Sequence, residues 1–331
     1  MDIYRTPEER FRVWVDYPFK SNYIEIDGLR MHYLDEGDSD APVILMVHGM
    51  PTSSYLYRHL IKLLVAAGYR CVAPDHIGFG KSDKVVDDSW YSIEKHQRFL
   101  ARFVESLDLN RITVMVQDWG GPIGLRGPVD MPERYERLCI LNTWLHHSEY
   151  PYGAMFWGWM RLWTKHDIPG ERAFDTNFFR RIGAWFVEKF FRFMIGDHPL
   201  GSVVYSTTYP GPNRGVNQAD KPLYLATEAP FTTYESKAGA RRFPLSLPFY
   251  NPTGGNAAEQ ERCYNALKKW TKPAHFIWGD KDPNFTPEKM RVWAADIPGS
   301  TTHIVTGAAH FPQETHYQEV ADTLLQRIQE E

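Results

Sequence analysis

The sequence has few cysteines and no long apolar run. Its three cysteines, Cys71, Cys139 and Cys263, lie at wide and unrelated spacings, which predicts neither a disulfide framework nor a zinc site. No run of about 18 apolar residues occurs, so we expect no membrane partner. The first residues are charged rather than apolar, so we expect no secretory signal. These absences favour a soluble, cytoplasmic protein.

Charge of one sign is not concentrated anywhere in the chain. The 37 basic and 41 acidic residues are scattered, and the formal net charge is −4. Since no basic stripe is available for phosphate groups, we expect no nucleic-acid partner. What the chain does have is aromatic residues, 11 Trp, 18 Tyr and 19 Phe, with many in its middle third. They indicate either a packed core or the lining of an apolar pocket.

Strand-like and helix-like segments alternate through most of the chain. Two short alternating runs meet at Asp27-Gly28, a dipeptide that favours a tight hairpin. Residues 42–47 are continuously apolar, which is typical of a strand covered on both faces. Later strand-like runs are separated by helical periodicity. The pattern predicts an α/β fold with a mostly parallel central sheet flanked by helices.

This alternation stops between residues 146 and 255. Aromatic-rich, partly helical sequence with Pro-Gly breaks replaces it, and the alternation resumes near residue 275. We therefore predict a core domain formed by residues 1–145 and 256–331, with residues 146–255 inserted as a helical cap domain. Nothing in the sequence demands an oligomer, so we expect a monomer.

The motif QDWGG, residues 117–121, carries the candidate nucleophile. It follows an apolar strand and precedes a helical segment that we expect to begin at Pro122. Strand, sharp turn and helix in succession are typical of a nucleophile elbow. The raised side chain would be the carboxylate of Asp118, which is anionic at neutral pH and can displace a leaving group from an sp3 carbon. An aspartate in such a turn also commonly caps the helix, and the motif alone leaves both interpretations open.

Two later loops carry the partners that such a nucleophile needs. GDKDP, residues 279–283, and GAAHF, residues 307–311, each follow a predicted strand. Because the carboxyl ends of parallel strands share one edge of a sheet, we expect the three motifs to meet. His310 is the candidate base, held through its second ring nitrogen by Asp282, with Asp280 as the rival acceptor. A lone loop histidine is otherwise more often structural.

Two glycine-containing loops complete the set of candidates. In HGMP, residues 48–51, the backbone N–H of Met50 is expected to form an oxyanion hole with that of Trp119. We interpret His48 as a residue that stabilises this turn rather than as a catalytic group. GFGKSD, residues 78–83, lacks the full spacing of a phosphate-binding loop. We expect neither a metal ion nor an organic cofactor.

Taken together, HGMPTSSYLYR, APDHIGFGKSDK, QDWGG, GDKDP and GAAHFPQE resemble the haloalkane dehalogenase family of the α/β-hydrolase superfamily. The resemblance covers nearly the whole chain, and QDWGG beside GFGKSDK, with APFTTYESKAGARRFP, makes it specific. It implies an α/β-hydrolase fold that takes a small apolar halogenated substrate and water and releases an alcohol and a halide ion. It implies Asp118 as the nucleophile that forms an alkyl ester, His310 as the base and Asp282 as the triad acid.

The resemblance also implies two N–H donors for the departing halide. The indole of Trp119 would be the first. Members of the family take the second from an Asn in the HG-x-P loop or from a Trp in the cap, and Met50 stands at the first of these places. This departure favours a donor from the cap, where Trp159 in the segment FWGWMR is the preferred residue and Trp157 and Trp163 stay possible.

Phe156, Pro230 and Phe231 are expected to line the apolar substrate pocket. The alternative for the cap aromatics is that they simply pack the cap, because aromatic side chains commonly fill cores.

Two other functions remain open at this point. An epoxide hydrolase would use the same Asp, His and Asp but would activate its substrate with two cap tyrosines, for which Tyr205, Tyr209 and Tyr234 are candidates. A non-catalytic receptor for an apolar small molecule would keep the cavity without needing an intact nucleophile, acid and base.

Overall fold

The computed structural model describes residues 1–152, 200–209, 221–248 and 256–331. The strands of these residues are β1 (Ile3–Tyr4), β2 (Asn22–Ile26), β3 (Leu29–Glu36), β4 (Val43–Val47), β5 (Arg70–Pro74), β6 (Lys84–Val85), β7 (Ile112–Asp118), β8 (Tyr135–Thr143), β9 (Ala274–Gly279) and β10 (Thr301–Val305). Their α-helices are α1 (Arg58–Ala66), α2 (Ile93–Ser106), α3 (Gly120–Gly124), α4 (Arg126–Asp130), α5 (Leu200–Thr208), α6 (Pro222–Glu228), α7 (Ala238–Arg242), α8 (Asn256–Leu267), α9 (Pro287–Ala295), α10 (Pro312–Thr315) and α11 (Tyr317–Gln329). Short 3-10 turns lie at Glu8–Val13, Ser54–Tyr57, Asp88–Trp90, Pro132–Arg134, Glu235–Lys237 and Phe243–Ser246.

Eight of these strands form one sheet in the order β10, β9, β8, β7, β4, β5, β3, β2. The β2–β3 and β3–β5 pairs are antiparallel, and the other pairs are parallel. β1 and β6 pair separately as a short antiparallel ladder. The predicted fold class, a mostly parallel sheet flanked by helices, is confirmed.

Strand β4 illustrates why the sheet is buried on both sides. All five of its residues are buried, and their side chains alternate between two hydrophobic clusters. Val43, Leu45 and Val47 face one cluster, whereas Ile44 and Met46 face the other, which includes residues of α1 and α11. A strand with apolar side chains on both faces is stable only where helices cover both faces, as here.

The local signals in the sequence account for several element ends. Asp27 and Gly28 adopt positive φ values of 52° and 75°, which form the tight turn between β2 and β3. The Ser92 side chain accepts a hydrogen bond from the Lys95 N–H at 3.2 Å and so begins α2. α1 ends before Gly68, whose φ is 90°.

The described residues within the predicted cap are mainly helical and pack on the N-terminal segment. Phe11 and Trp14 share a hydrophobic cluster with Val204 of α5 and Leu223 of α6. The Trp14 indole N–H also donates to the Ala226 carbonyl at 3.0 Å. The exact division of the chain at residues 145/146 and 255/256 stays a prediction.

In the part of the chain that the structure describes, no helix is both long and apolar enough to cross a membrane.

Candidate active site

Asp118 stands at a sharp turn between β7 and α3. Its φ is +52°, in the left-handed region that non-glycine residues rarely adopt, and its side chain is largely buried. The turn brings Gly120 against β4: a Cβ atom there would lie 2.9 Å from the Val47 carbonyl carbon and 3.2 Å from the His48 oxygen. Only glycine fits that approach, which explains why the motif continues with Gly.

The helix after the turn begins earlier than the sequence suggested. We expected its start at Pro122, but α3 begins at Gly120, because Trp119 alone forms the corner. The N-cap residue of α3 is Trp119 rather than Asp118, and its side chain makes no capping hydrogen bond. Oδ1 of Asp118 accepts from the Met50 N–H at 3.0 Å. The geometry therefore does not support the capping interpretation of Asp118.

The three predicted triad residues lie together at the carboxyl edge of the sheet. Nε2 of His310 is 3.3 Å from Oδ2 of Asp118, and its Nδ1 is 2.7 Å from Oδ2 of Asp282. The rival, Asp280, points elsewhere, because its carboxylate accepts from the Gly307 N–H at 2.7 Å and from the Lys281 ammonium at 2.8 Å. Asp282, and not Asp280, is thus the carboxylate that holds the imidazole.

The two carboxylates set the charge of His310. Burial lowers the pKa of His310, but the charge of Asp282 and the hydrogen bonds to Asp118 and Asp282 outweigh it and raise that pKa to about 10. Burial raises the pKa of Asp282, yet the His310 charge and two backbone N–H donors lower it overall. The free site therefore holds an imidazolium between two carboxylates at neutral pH.

Asn142, at the end of β8, is a functional candidate that the sequence reasoning missed. Its buried side-chain amide donates to Oδ2 of Asp282 at 3.0 Å and to the Gly279 carbonyl at 3.2 Å. Its carbonyl oxygen accepts from the Gly279 N–H at 2.8 Å. The N–H groups of Asn284 and Phe285 donate to Oδ1 of Asp282 at 2.8 and 3.1 Å. A polar residue directly after the apolar run of residues 138–141 was the available signal.

Gln117 is a second residue that the sequence reasoning missed. It precedes Asp118 in β7, is fully buried, and turns its side-chain amide nitrogen toward His310. That nitrogen lies 3.0 Å from the His310 carbonyl oxygen and 3.2 Å from His310 Nε2. Its place inside the QDWGG motif was the only signal.

The loop after β4 brings one of the two predicted oxyanion donors to Asp118. The Met50 N–H points at Oδ1, whereas among the described residues no hydrogen bond joins the Trp119 N–H to the carboxylate. His48 braces this loop, since its Nε2 accepts from the His76 N–H at 3.0 Å and its Nδ1 lies 2.7 Å from the Gly49 carbonyl. The side chain of His48 is fully buried, in keeping with a role in the turn.

Aromatic rings surround Trp119. Its indole packs edge-on against Trp144 and Phe243, at ring-centroid distances of 4.8 and 5.3 Å. Within the described ranges, the indole N–H of Trp119 has no hydrogen-bond partner. Phe243 packs on Phe79, which in turn packs on Phe231 at 6.2 Å, so Phe231 belongs to the same aromatic cluster. The adjacent Pro230 is buried as well.

The remaining predicted halide and pocket residues, Phe156, Trp157, Trp159 and Trp163, lie outside the described residues. The three tyrosines named for epoxide chemistry are described. Tyr234 is 69% exposed and lies under the Arg241 guanidinium, and Tyr209 is 39% exposed with Tyr205 packed against it. Tyr234 and Tyr209 thus face solvent, which does not fit a pair of hydroxyls held over a buried carboxylate.

His310 is also bound to the helical region. Its backbone N–H donates to the Thr207 carbonyl of α5 at 3.2 Å, and the next residue, Phe311, packs in the cluster that contains Val204. The ring of His310 stacks on Phe285 at 5.4 Å. Among the described residues no cluster of His, Cys, Asp and Glu has the arrangement of a metal site.

Comparison with known proteins relates this geometry to a family. Residues 42–186 match the family model for the alpha/beta hydrolase fold. The chain is 34% identical to a haloalkane dehalogenase of Psychrobacter cryohalolentis, with 99% of this chain and 98% of that protein aligned. It is 33% identical to a haloalkane dehalogenase of Mycolicibacterium paratuberculosis, with 98% of each aligned.

The structural comparison agrees. The solved haloalkane dehalogenase DpaA of Paraglaciecola agarilytica, described as tetrameric, superposes with a TM-score of 0.80 at 31% identity, over 98% of this chain and 97% of that one. A solved ancestral haloalkane dehalogenase superposes with a TM-score of 0.71 at 25% identity, over 93% and 98%. With its α/β-hydrolase sheet, its carboxylate elbow and full-length relatives above 30% identity, the chain belongs to the haloalkane dehalogenase family.

Proposed function

We propose that this protein hydrolyses haloalkanes to an alcohol and a halide ion through an alkyl ester on Asp118. The observation that carries the proposal is the alignment of Asp118, His310 and Asp282, with both imidazole nitrogens facing carboxylates. A serine in this place would act on a carbonyl carbon, whereas a carboxylate acts on the saturated carbon of a haloalkane.

In the first step Oδ2 of Asp118 attacks the carbon, a C–O bond forms, and the halide leaves with the bonding electrons. Oδ1 is held by the Met50 N–H, and Oδ2, which faces His310 Nε2 at 3.3 Å, is the oxygen that attacks. The indole N–H of Trp119 and that of Trp159 stabilise the departing anion. Phe156, Pro230 and Phe231 contribute to the apolar pocket around the substrate, where the anion's contacts are strongest.

Ester formation changes the charge of the site. Asp118 becomes neutral, so His310 loses one of the two carboxylates that raise its pKa, and it releases its proton to solvent. The released proton and the halide together make up the acid that the overall reaction produces. His310 is then neutral, with Nδ1 bound to Asp282 and a lone pair on Nε2 that can take a proton from water.

In the second step His310 removes a proton from water, whose oxygen attacks the Asp118 carboxyl carbon. The oxyanion that forms on Oδ1 is stabilised by the N–H groups of Met50 and Trp119. In the tetrahedral intermediate, Oδ1 lies in a different position from the one that it has in the free carboxylate. The bond between the carboxyl carbon and Oδ2 breaks, the alcohol leaves with Oδ2 and a proton from His310, and the new carboxylic acid, which keeps the oxygen from water, returns a proton to the imidazole.

The experiment is an assay of halide release and diol formation with terminal bromo- and chloroalkanes, dihaloethanes and styrene oxide. Asp118→Ala is the inactive variant. Asp280→Ala is the matched control, because Asp280 lies in the loop of Asp282 but contacts neither His310 nor Asp118. We expect halide from the wild type and the control, and none from Asp118→Ala.

Intact-protein mass spectrometry tests the covalent step. In His310→Ala, incubation with a bromoalkane should add one alkyl group to the chain, and Asp118→Ala should add none.

In the product assay, diol without halide would move the assignment to an epoxide hydrolase. Ligand binding without either product would favour a non-catalytic receptor. Light scattering tests the expected monomer.

A further inference from the structure

The amide of Gln117 contacts Nε2 of His310, the nitrogen that acts as the base in the proposed mechanism. A primary amide nitrogen carries two N–H donors. One of them is taken by the His310 carbonyl oxygen at 3.0 Å, and the same nitrogen lies 3.2 Å from His310 Nε2. The buried Gln117 amide thus contacts both the main-chain carbonyl and the imidazole ring of His310.

The carbonyl of His310 fixes which way this amide points. If oxygen and nitrogen of Gln117 were exchanged, two carbonyl oxygens would face each other at 3.0 Å, which is repulsive. The buried side-chain oxygen of Gln117 has no partner among the described residues. The amide therefore presents N–H groups to His310 in both protonation states of the ring.

The contact with Nε2 is favourable in only one of those states. Neutral imidazole protonated on Nδ1, where Asp282 accepts, has a lone pair on Nε2 that can receive the amide N–H. In the imidazolium an N–H group would face another N–H group. Among the described residues, the charged groups that face His310 are Asp118 from the end of β7 and Asp282 from the loop after β9, and both favour the imidazolium. From α5, the neutral Thr207 carbonyl accepts a hydrogen bond from its backbone N–H.

We propose that Gln117 is a positioning residue that favours neutral His310 by donating to Nε2, so that the ring loses its proton as soon as Asp118 is esterified; the amide N–H then gives way to water at the Nε2 lone pair. Before the ester forms, the two carboxylates outweigh the amide. After it forms, Asp282 alone opposes Gln117. The inference rests on the proposed function, since it concerns the hydrolysis of the alkyl ester.

The test is the pH dependence of the two half-reactions in Gln117→Met, which keeps the length of the side chain but lacks the N–H donors. Single-turnover measurements separate halide release, which reports ester formation, from alcohol release, which reports hydrolysis. Removing the donor should raise the His310 pKa that governs hydrolysis by about one unit, because the free energy of one neutral hydrogen bond corresponds to about one pKa unit. Below that pKa, alcohol release should slow about tenfold while halide release changes less than twofold.

The outcomes separate this inference from the function itself. An unshifted hydrolysis profile, or an equal loss in both half-reactions, would overturn the role of Gln117 and leave the dehalogenase standing. No halide from the wild type would overturn the proposed function.

A second measurement keeps the inference testable if Gln117→Met fails to fold. Asp118→Leu replaces the carboxylate by a neutral side chain of similar size that, like the ester, has no N–H donor, and it keeps Gln117. In that variant the ¹⁵N resonance of Nε2 in neutral His310 should be that of a nitrogen accepting a hydrogen bond. A resonance typical of an unbonded imidazole nitrogen would contradict the inference.

Discussion

Replacing Asp282 by asparagine should lower the pKa of His310 by a measurable amount. Asp282 is fully buried, and its Oδ2 lies 2.7 Å from His310 Nδ1. An opposite charge at this distance shifts a pKa by about 1 to 3 units. We therefore expect the His310 pKa, about 10 in the wild type, to fall by about 2 units in Asp282→Asn.

The same change has a consequence for stability. In the wild type the raised pKa of His310 contributes stability that is fully present below pH 6.5 and is lost as the pH rises to about 10. At about 1.4 kcal/mol per pKa unit, this amounts to about 5 kcal/mol. Over the same pH range Asp282→Asn should lose only about 2 kcal/mol of stability, because its smaller His310 pKa shift contributes less stability at low pH.

An NMR titration of the His310 imidazole gives the pKa directly, and urea unfolding at pH 6.5 and pH 10 gives the stability difference. Titrations of other residues are common to both proteins and cancel in the comparison. Asp280→Asn is the control, because Asp280 contacts Lys281 and Gly307 instead of His310. If wild type and Asp282→Asn showed the same pKa and the same loss with pH, the reasoning about the buried pair would be refuted.

Three further predictions concern single residues. Asn142→Ala should cost about 2 to 4 kcal/mol in urea unfolding, because it leaves the buried N–H and C=O of Gly279 unpaired; a loss under 0.5 kcal/mol would contradict this. Glu314→Gln should cost about 3 kcal/mol, because Arg58 would be left charged and buried, and the double variant Arg58→Met, Glu314→Leu should regain most of it in a thermal melt; equal losses in both would argue against the pair. Tyr234→Phe should leave halide release within twofold, since this side chain is mostly exposed, and a tenfold loss would bring it back into the site.

The parts of the molecule that the sequence predicted well are those with local signals. The run of residues 42–47 became β4 because five consecutive apolar side chains need cover on both faces. The hairpin at Asp27 follows from the turn preference of two adjacent residues. The structure brings Asp118, His310 and Asp282 together because each stands at the carboxyl end of a strand, and strands of a parallel sheet end at one edge; their catalytic roles stay a prediction.

What the sequence did not predict depends on contacts between distant residues. Asn142 pairs with Gly279, 137 residues away, and Gln117 with His310, 193 residues away. Such pairs follow from the order and register of β7, β8 and β9, which local patterns do not encode. The assignment of Trp159 as the second halide donor stays a prediction.

The hydrogen bond from the His310 N–H to the Thr207 carbonyl joins the main chain of the proposed general base to α5, which lies within the predicted cap. A substitution that shifts α5 to admit a bulkier molecule pulls on the main chain of the general base. We therefore expect substitutions in α5 that change the substrate range to change turnover as well. Engineering or selection for new substrates should move through positions that leave the carboxyl end of α5 in place, and variants that move it should need a compensating change in the loop of residues 307–311.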